Sequence, residues 1–339
     1  DEDLAVFSRL IPFAYGVPAE SHLIINEQCN KWNGGSQENK SFANGLVTSA
    51  VSEDMDGDGD MDIVASYEYG AVRYYQNDLG IFTDKTTSFG LETITGIWRN
   101  IEVDDIDQDG DMDIIACNHG LNSRWKASSS DPLIMYVNDF DRNGQTEQIM
   151  CWHRGDSDYP IAMKDDLLKQ MPILNKKYTT YKSFATATIQ DMFDSEIVSQ
   201  SVKYSISELR SGIFYNEKGS FHFTALPDEA QMTTQFRSWT GDINQDGLTD
   251  LILGGNQLNA KPEMGINAAS YGSVLLQKPD GTFFSLSIQS SGLFERGSIR
   301  DIKTITIQSV PYLLIIKNNE TPSLYNFHFP PITPGTILQ

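Results

Sequence analysis

Residues 54–64 read DMDGDGDMDIV, five aspartates in nine positions followed at once by an apolar pair. Like charges this close repel unless a cation sits among them. Three readings compete: a solvated acidic run, the loop of a helical EF-hand, or a metal loop joining two strands. The pattern returns as DIDQDGDMDII from Asp105, DFDRNGQTEQI from Asp139 and DINQDGLTDLI from Asp242. Each copy fits DxDxDGxxD, with Asn allowed at the third or fifth place and Glu at the ninth. Four copies are hard to ascribe to chance, and their spacing over tens of residues points to an array or a propeller.

The chemistry explains the pattern. Side chains at places one, three and five can converge on one cation, the glycine permits a sharp turn with positive φ, and the ninth carboxylate closes the shell. Hard oxygen donors of this kind suit Ca²⁺. An EF-hand would also need a bidentate Glu at place twelve, where this chain has Ala65, Ala116, Met150 and Leu253. The EF-hand reading fails in every copy.

The flanks say what the loops connect. IVASY, IIACN, QIMCW and LILGG follow them, and LVTSAV, NIEVDDI and LIMYVND precede three of them, all short β-rich runs. VRYYQNDLGIFTD, GIFYNEKGSFHFT and SVLLQKPDGTFFS each read as a strand, a polar turn with glycine and an aromatic second strand, which is a β-hairpin. A metal hairpin plus a plain one makes a four-stranded unit of about fifty residues, the size of a propeller blade. The expectation is an all-β propeller of about six blade units over residues 1–339, within a seven-bladed ring.

Composition narrows the function. At 339 residues the chain is long enough for two ordinary domains or one large all-β domain, and 40% hydrophobic with 11% aromatic residues supports a packed core. A formal charge of −21 repels phosphate backbones and anionic membrane surfaces, so nucleic acid is excluded as a partner. The apolar run YLLII at 312–316 is far short of the ~20 residues a membrane helix needs, so no transmembrane segment is expected. The start, DEDLAVFSRL, lacks the features of a secretion signal. Cys29, Cys117 and Cys151 show no CxxC spacing; Cys117 and Cys151 occupy matching places after their loops, as buried free thiols or, less simply, as a disulfide.

With these motifs in hand, the chain resembles the FG-GAP/VCBS repeat proteins, whose calcium-loop β-propellers are related to the integrin α-subunit head. Within that group it is similar to bacterial surface proteins of the type that also carry ASPIC/UnbV segments. The likeness rests on the four loops and on LAVFSRLIPFAYGVPAESHLIIN, HGLNSRWKASSSDPLIMYVNDFDRNG, YPIAMKDDLLKQMPILNKKY and AASYGSVLLQKPDGTF. Carried over by position, it implies side-chain calcium ligands at Asp54, Asp56, Asp58 and Asp62, then at Asp105, Asp107, Asp109 and Asp113. The third set is Asp139, Asp141, Asn143 and Glu147, and the fourth is Asp242, Asn244, Asp246 and Asp250. Asp60, Asp111, Gln145 and Leu248 would offer backbone carbonyls.

The resemblance further implies export, as a secreted or outer-membrane lipoprotein of a Gram-negative bacterium. It also implies binding of a protein or glycan at the cell surface, as a component of an outer-membrane complex. The last repeat, from Gly297, keeps strand patterns but has no loop acids, and the first residues resemble the end of a loop. The expectation is therefore a fragment of a longer protein, or a propeller closed by its C-terminal strand.

Residues 160–205 break the β pattern and read as a helical insertion within one blade. A short helix is ended by Pro172, and Tyr181, Phe184, Ala185, Thr188, Ile189 and Met192 repeat at helical spacing. A lid or docking element and a cap over a blade edge are equally good readings. The RGD tripeptide at Arg154–Asp156 is read as coincidence in an interblade turn, and the sequons at Asn39 and Asn319 are equally common by chance.

A polysaccharide-active hydrolase or lyase is the rival class. No GxSxG or HExxH occurs, and His22, His119, His153, His222 and His328 are scattered. If the protein binds a ligand, the face opposite the metal loops is expected to hold it. Trp98, Arg99 and Asn100, and in another repeat Phe236, Arg237 and Trp239, fall there; Trp98, Arg99, Arg237 and Trp239 are the candidate ligand residues, for a glycan or a peptide. Packing of the aromatics between blades is the competing reading.

Overall fold

Each acidic loop joins two antiparallel strands in the computed structural model, which describes residues 3–27, 31–34, 42–259 and 265–326. Cys29, Asn39 and His328 lie outside these residues. The first sheet comprises β1 (Leu4–Val6), β2 (His22–Glu27) and β3 (Lys31–Gly34). The second is the meander β4 (Val47–Glu53), β5 (Asp62–Ala71), β6 (Arg73–Asp78) and β7 (Ile81–Asp84), with β8 (Thr95–Ile97) pairing the far end of β5. Here the acidic-loop hairpin and the plain hairpin form one four-stranded meander, as the sequence implies.

The third sheet departs from a simple series. Its strands β9 (Asn100–Asp104) and β10 (Asp113–Cys117) are followed in sequence by a separate sheet built from β11 (Leu133–Asn138), β12 (Glu147–Arg154) and β13 (Ser157–Pro160). Four short helices follow, α1 (Lys164–Gln170), α2 (Tyr181–Ala185), α3 (Ile189–Met192) and α4 (Ser195–Gln200). After them β14 (Val202–Ile206) returns to pair with β11. Only then do β15 (Gly212–Asn216) and β16 (Phe221–Ala225) complete the third sheet, with Ile114 opposite Phe214. The loop at Asp139 therefore heads an inserted sheet and not a unit in series, which corrects the sequence expectation. The open edge of β10 is filled by GIFYN, while LIMYVN is the second of its own four strands.

The fourth sheet is β17 (Gln235–Gly241), β18 (Asp250–Gly255), β19 (Ser273–Gln277) and β20 (Phe283–Ser285). After a single helical turn, α5 (Ile288–Ser291), the fifth sheet in series holds β21 (Ile299–Ile307), β22 (Val310–Lys317) and β23 (Ser323–Asn326). Strand β4 lies beside β9, β9 beside β17 and β17 beside β21, so the leading strands of successive sheets share one side. Among the described residues, no strand pairing joins the first sheet to the last. The chain is all-β with few helices.

Central strands are apolar without alternation because both of their faces are covered. In β5, Ile63 and Ala65 pack toward the first sheet with Leu23, Phe42 and Tyr75, whereas Val64 packs with Trp98, Ile101, Ile114 and Phe214 of the third. The period of two repeats the division further on: Ile114 and Ala116 face back, Ile115 and Cys117 face forward onto Leu251 and Leu253. Cys117 and Cys151 are buried free thiols in different cores.

Within the insert, α1 ends before Pro172, which opens a 3₁₀ turn (Pro172–Lys176). The single helical stripe over 181–192 is in fact two helices. The first ends at Ala185, and Thr188 starts the second, because its hydroxyl accepts the Asp191 N–H while the Asp191 carboxylate accepts the Thr188 N–H. Leu167, Leu168, Met171, Ile189 and Met192 pack onto Tyr136, Ile149 and Cys151, so the helices cover a face of the inserted sheet. The RGD turn lies between β12 and β13 of that sheet, with Arg154 paired to Asp131 at 3.3 Å.

Candidate metal loops and the opposite face

All four acidic loops adopt one backbone. Their fourth residues have positive φ, 74° at Gly57, 62° at Gln108, 59° at Arg142 and 61° at Gln245. So do their sixth, 95° at Gly59, 97° at Gly110, 84° at Gly144 and 87° at Gly247. A left-handed non-glycine residue costs on the order of 1 kcal/mol, so three loops hold this strain against an opposing network. The first carboxylate supplies part of it: Asp54, Asp105, Asp139 and Asp242 each accept the N–H of the loop's sixth residue, at 3.0, 3.1, 2.8 and 3.0 Å. The fifth side chain supplies more, with Asp58, Asp109, Asn143 and Asp246 accepting the N–H two residues on.

Residue two of each loop is apolar and buried, as Met55, Ile106, Phe140 and Ile243. It plugs the loop into the core and brings its N–H to the ninth carboxylate, which accepts it at 2.9–3.0 Å in every copy (Asp62, Asp113, Glu147, Asp250). The other oxygen of each Asp accepts an N–H from the third strand of the same sheet, at Asn77, Asn216 and Gln277. Burial raises the carboxyl of Asp62, Glu147 and Asp250 above the usual range and that of Asp113 to about 7, while these N–H groups pull the other way. The seventh side chains of two loops reach further, Asp60 accepting the Leu79 N–H at 2.8 Å and Asp111 that of Lys218 at 3.1 Å. Read from sequence, Asp60 and Asp111 had only backbone carbonyl roles; the signal passed over was that place seven is an acid in the first two loops and Gln145 or Leu248 in the others.

Carboxylate oxygens of Asp54, Asp56 and Asp58 lie within 4.8 Å of one another, as do those of Asp105, Asp107 and Asp113 and those of Asp139, Asp141 and Glu147. Asp105 Oδ1 is buried with no hydrogen-bond partner among the described residues. Hard oxygens of like charge at this separation, one of them buried and unpaired, fit a hard divalent cation. In the fourth loop the Asn244 amide donates to Asp246 at 2.9 Å, so part of that donor set is engaged internally.

The four candidate ligand residues of the opposite face separate. Trp98 is fully buried against Phe214 and Phe223 at 5.6 and 6.1 Å, so it is a core residue and no ligand surface. Its place between two stacked sheets explains the error. Arg237 sits between Glu102 and Asp301 at 3.3 and 3.1 Å and ties β17 to β9 and β21. Trp239 packs on the core between the fourth and fifth sheets and donates Nε1–H to Thr304. Arg99 alone of the four lines a cavity, of about 760 Å³, together with Arg9, Glu68, His119, Trp125 and Asn267. Glu68 is 2% exposed; burial would raise its carboxyl, but Arg99 at 2.5 Å and Arg9 at 2.8 Å outweigh burial and hold it below the usual range.

Comparison with known proteins agrees with the loops. A family model described as an FG-GAP-like repeat matches residues 54–116, the span that holds the first two loops. No curated protein matches the chain. Among solved structures, the Vibrio cholerae biofilm matrix protein Bap1 is similar at 12% identity and a TM-score of 0.25, over 87% of this chain and 40% of that one. The chain thus spans less than half of that protein's length. Residues 54–116 carry FG-GAP-like repeat sequence, and no helix among the described residues is long and apolar enough to cross a membrane.

Proposed function

We propose that this chain is a calcium-stabilised β-propeller segment that acts outside the cell as a binding or scaffold module. The observation that carries the reading is one loop geometry repeated four times, with three clusters of converging carboxylates. Side chains at places one, three and five, with the ninth where it reaches, would hold the ions. Bound Ca²⁺ would neutralise these acids and fix the ends of the strand pairs they join. The side-by-side leading strands β4, β9, β17 and β21 support blades around an axis, within a ring of seven. The sequence likeness to ASPIC/UnbV-associated surface proteins favours a secreted or lipid-anchored place at a Gram-negative outer membrane, in a complex with a protein or glycan partner.

A glycan array and a polysaccharide panel, read with Ca²⁺ or with EDTA, test this reading. Saturable, calcium-dependent retention without new reducing ends is the expected result. Time-dependent release of reducing ends would instead make the protein an enzyme.

A further inference from the structure

The cavity around Arg99 is built unlike the rest of the surface. In a chain of formal charge −21, its wall carries Arg9, Arg99 and Lys126 against one carboxylate, Glu68, among the described residues. Arg9 and Arg99 share that carboxylate, so the described wall keeps a net positive charge. A concave site of this sign within an acidic protein focuses an anion.

The second observation is polar and buried. His119 is 7% exposed and lines the cavity, and its Nε2 has no hydrogen-bond partner among the described residues. Trp125 Nε1 and Asn267 Oδ1 in the same wall are likewise unpartnered. Buried polar atoms are nearly always satisfied, so three together mark a place where a ligand completes the set. The His119 and Trp125 rings stack on one another in this wall at 4.8 Å with 29° between planes.

We infer that this cavity binds a saccharide bearing a carboxylate, of the uronic-acid class. Guanidinium and ammonium groups suit the carboxylate, and the stacked indole suits a sugar face. Amide side chains offer both donors and acceptors to ring hydroxyls. An acidic peptide fits less well: the wall segments at 119–126 and 265–267 contain no strand whose edge an extended peptide could extend. The volume lies in the range of small-ligand sites.

The metal loops are not part of this site. Glu68 stands six residues along β5 from Asp62, about 20 Å at strand rise. The inference deepens the binding-module reading and rests on it.

Calorimetric titration of calcium-loaded protein with tetragalacturonate tests the assignment, with neutral galactotetraose and tetraglutamate as the other ligands and free Ca²⁺ matched in both solutions. Binding of the uronate at least tenfold tighter than of either control is expected. Lys126→Glu, at an exposed position, should weaken it at least tenfold with an unchanged melt. Lys126→Gln is the second variant and should act in the same direction. Equal binding of neutral and acidic sugar, preference for the peptide, or indifference to both variants would overturn the inference. Absence of uronate binding with calcium uptake intact would sink this inference alone and leave the calcium-module reading standing.

Discussion

Asp113 Oδ1 accepts the N–H of Asn216 at 2.8 Å across 103 residues of chain, while its other oxygen holds the N–H of Ile106. One carboxylate thus ties the acidic loop to the strand that arrives only after the whole inserted sheet. Asp113→Ala would leave two buried donors unmet, a loss of about 3 kcal/mol. Chemical denaturation should show that loss in both Ca²⁺ and EDTA. Asp109→Ala, whose side chain serves the loop, should cost stability in Ca²⁺ and little in EDTA; equal behaviour of the two variants would contradict the division of roles.

Trp98 is a packing residue. Trp98→Ala should cost on the order of 3–5 kcal/mol by opening a cavity between the second and third sheets, and Trp98→Phe less. Lys126→Glu should leave stability almost unchanged. Paired denaturation curves decide, and a Trp98→Ala protein as stable as its parent would return Trp98 to the surface.

His119 gives a pH signature. Burial, with Arg99 adding to it, lowers its pKa from 6.5 to about 4, so the folded protein disfavours the proton that the unfolded chain accepts. The contribution of neutral His119 is therefore complete above pH 6.5 and lost as pH falls toward about 4, amounting to about 3 kcal/mol. His119→Gln should flatten that part of the stability profile relative to the parent. An unchanged difference between the two proteins from pH 7.5 to 4 would refute the assignment.

Much of this was legible in the sequence for a physical reason. The loops carry their own instructions: alternating acids, a glycine where φ must be positive, and apolar runs on either side, all local in the chain. Hairpins such as VRYYQNDLGIFTD are local too. What was hidden is non-local. Nothing in IIAC says that its next partner is GIFYN beyond an inserted sheet, and nothing in IWRN says that Trp98 points between sheets while Arg99 turns to Glu68. The HGLNSRWK stretch was visible as a motif, but its meeting with Arg9 depends on long-range packing. The left-handed Gln108, Arg142 and Gln245 were equally unreadable, since their conformation is imposed by the hydrogen bonds around them and not by their own preference.

The loops differ in charge, and that should order their filling. The first two sets each bring four carboxylates, whereas Asn143 and Asn244 reduce the others to three. More ligand charge favours tighter Ca²⁺ binding, so Asp58→Ala or Asp109→Ala should remove more calcium-dependent stability than Asp246→Ala. Thermal melts of the three variants at fixed Ca²⁺ check the order, and a larger loss in Asp246→Ala would reverse it.

Calorimetric titration of chelator-stripped protein with Ca²⁺ tests the central claim most directly. Calcium at a hundred times the dissociation constant adds ~2.7 kcal/mol per site, so uptake should proceed in steps, with the loops at Asp54 and Asp105 filling first. The melt should rise with each step and fall again in EDTA. A titration without calcium uptake, or a melt indifferent to EDTA, would reduce the four loops to acidic turns and contradict the account.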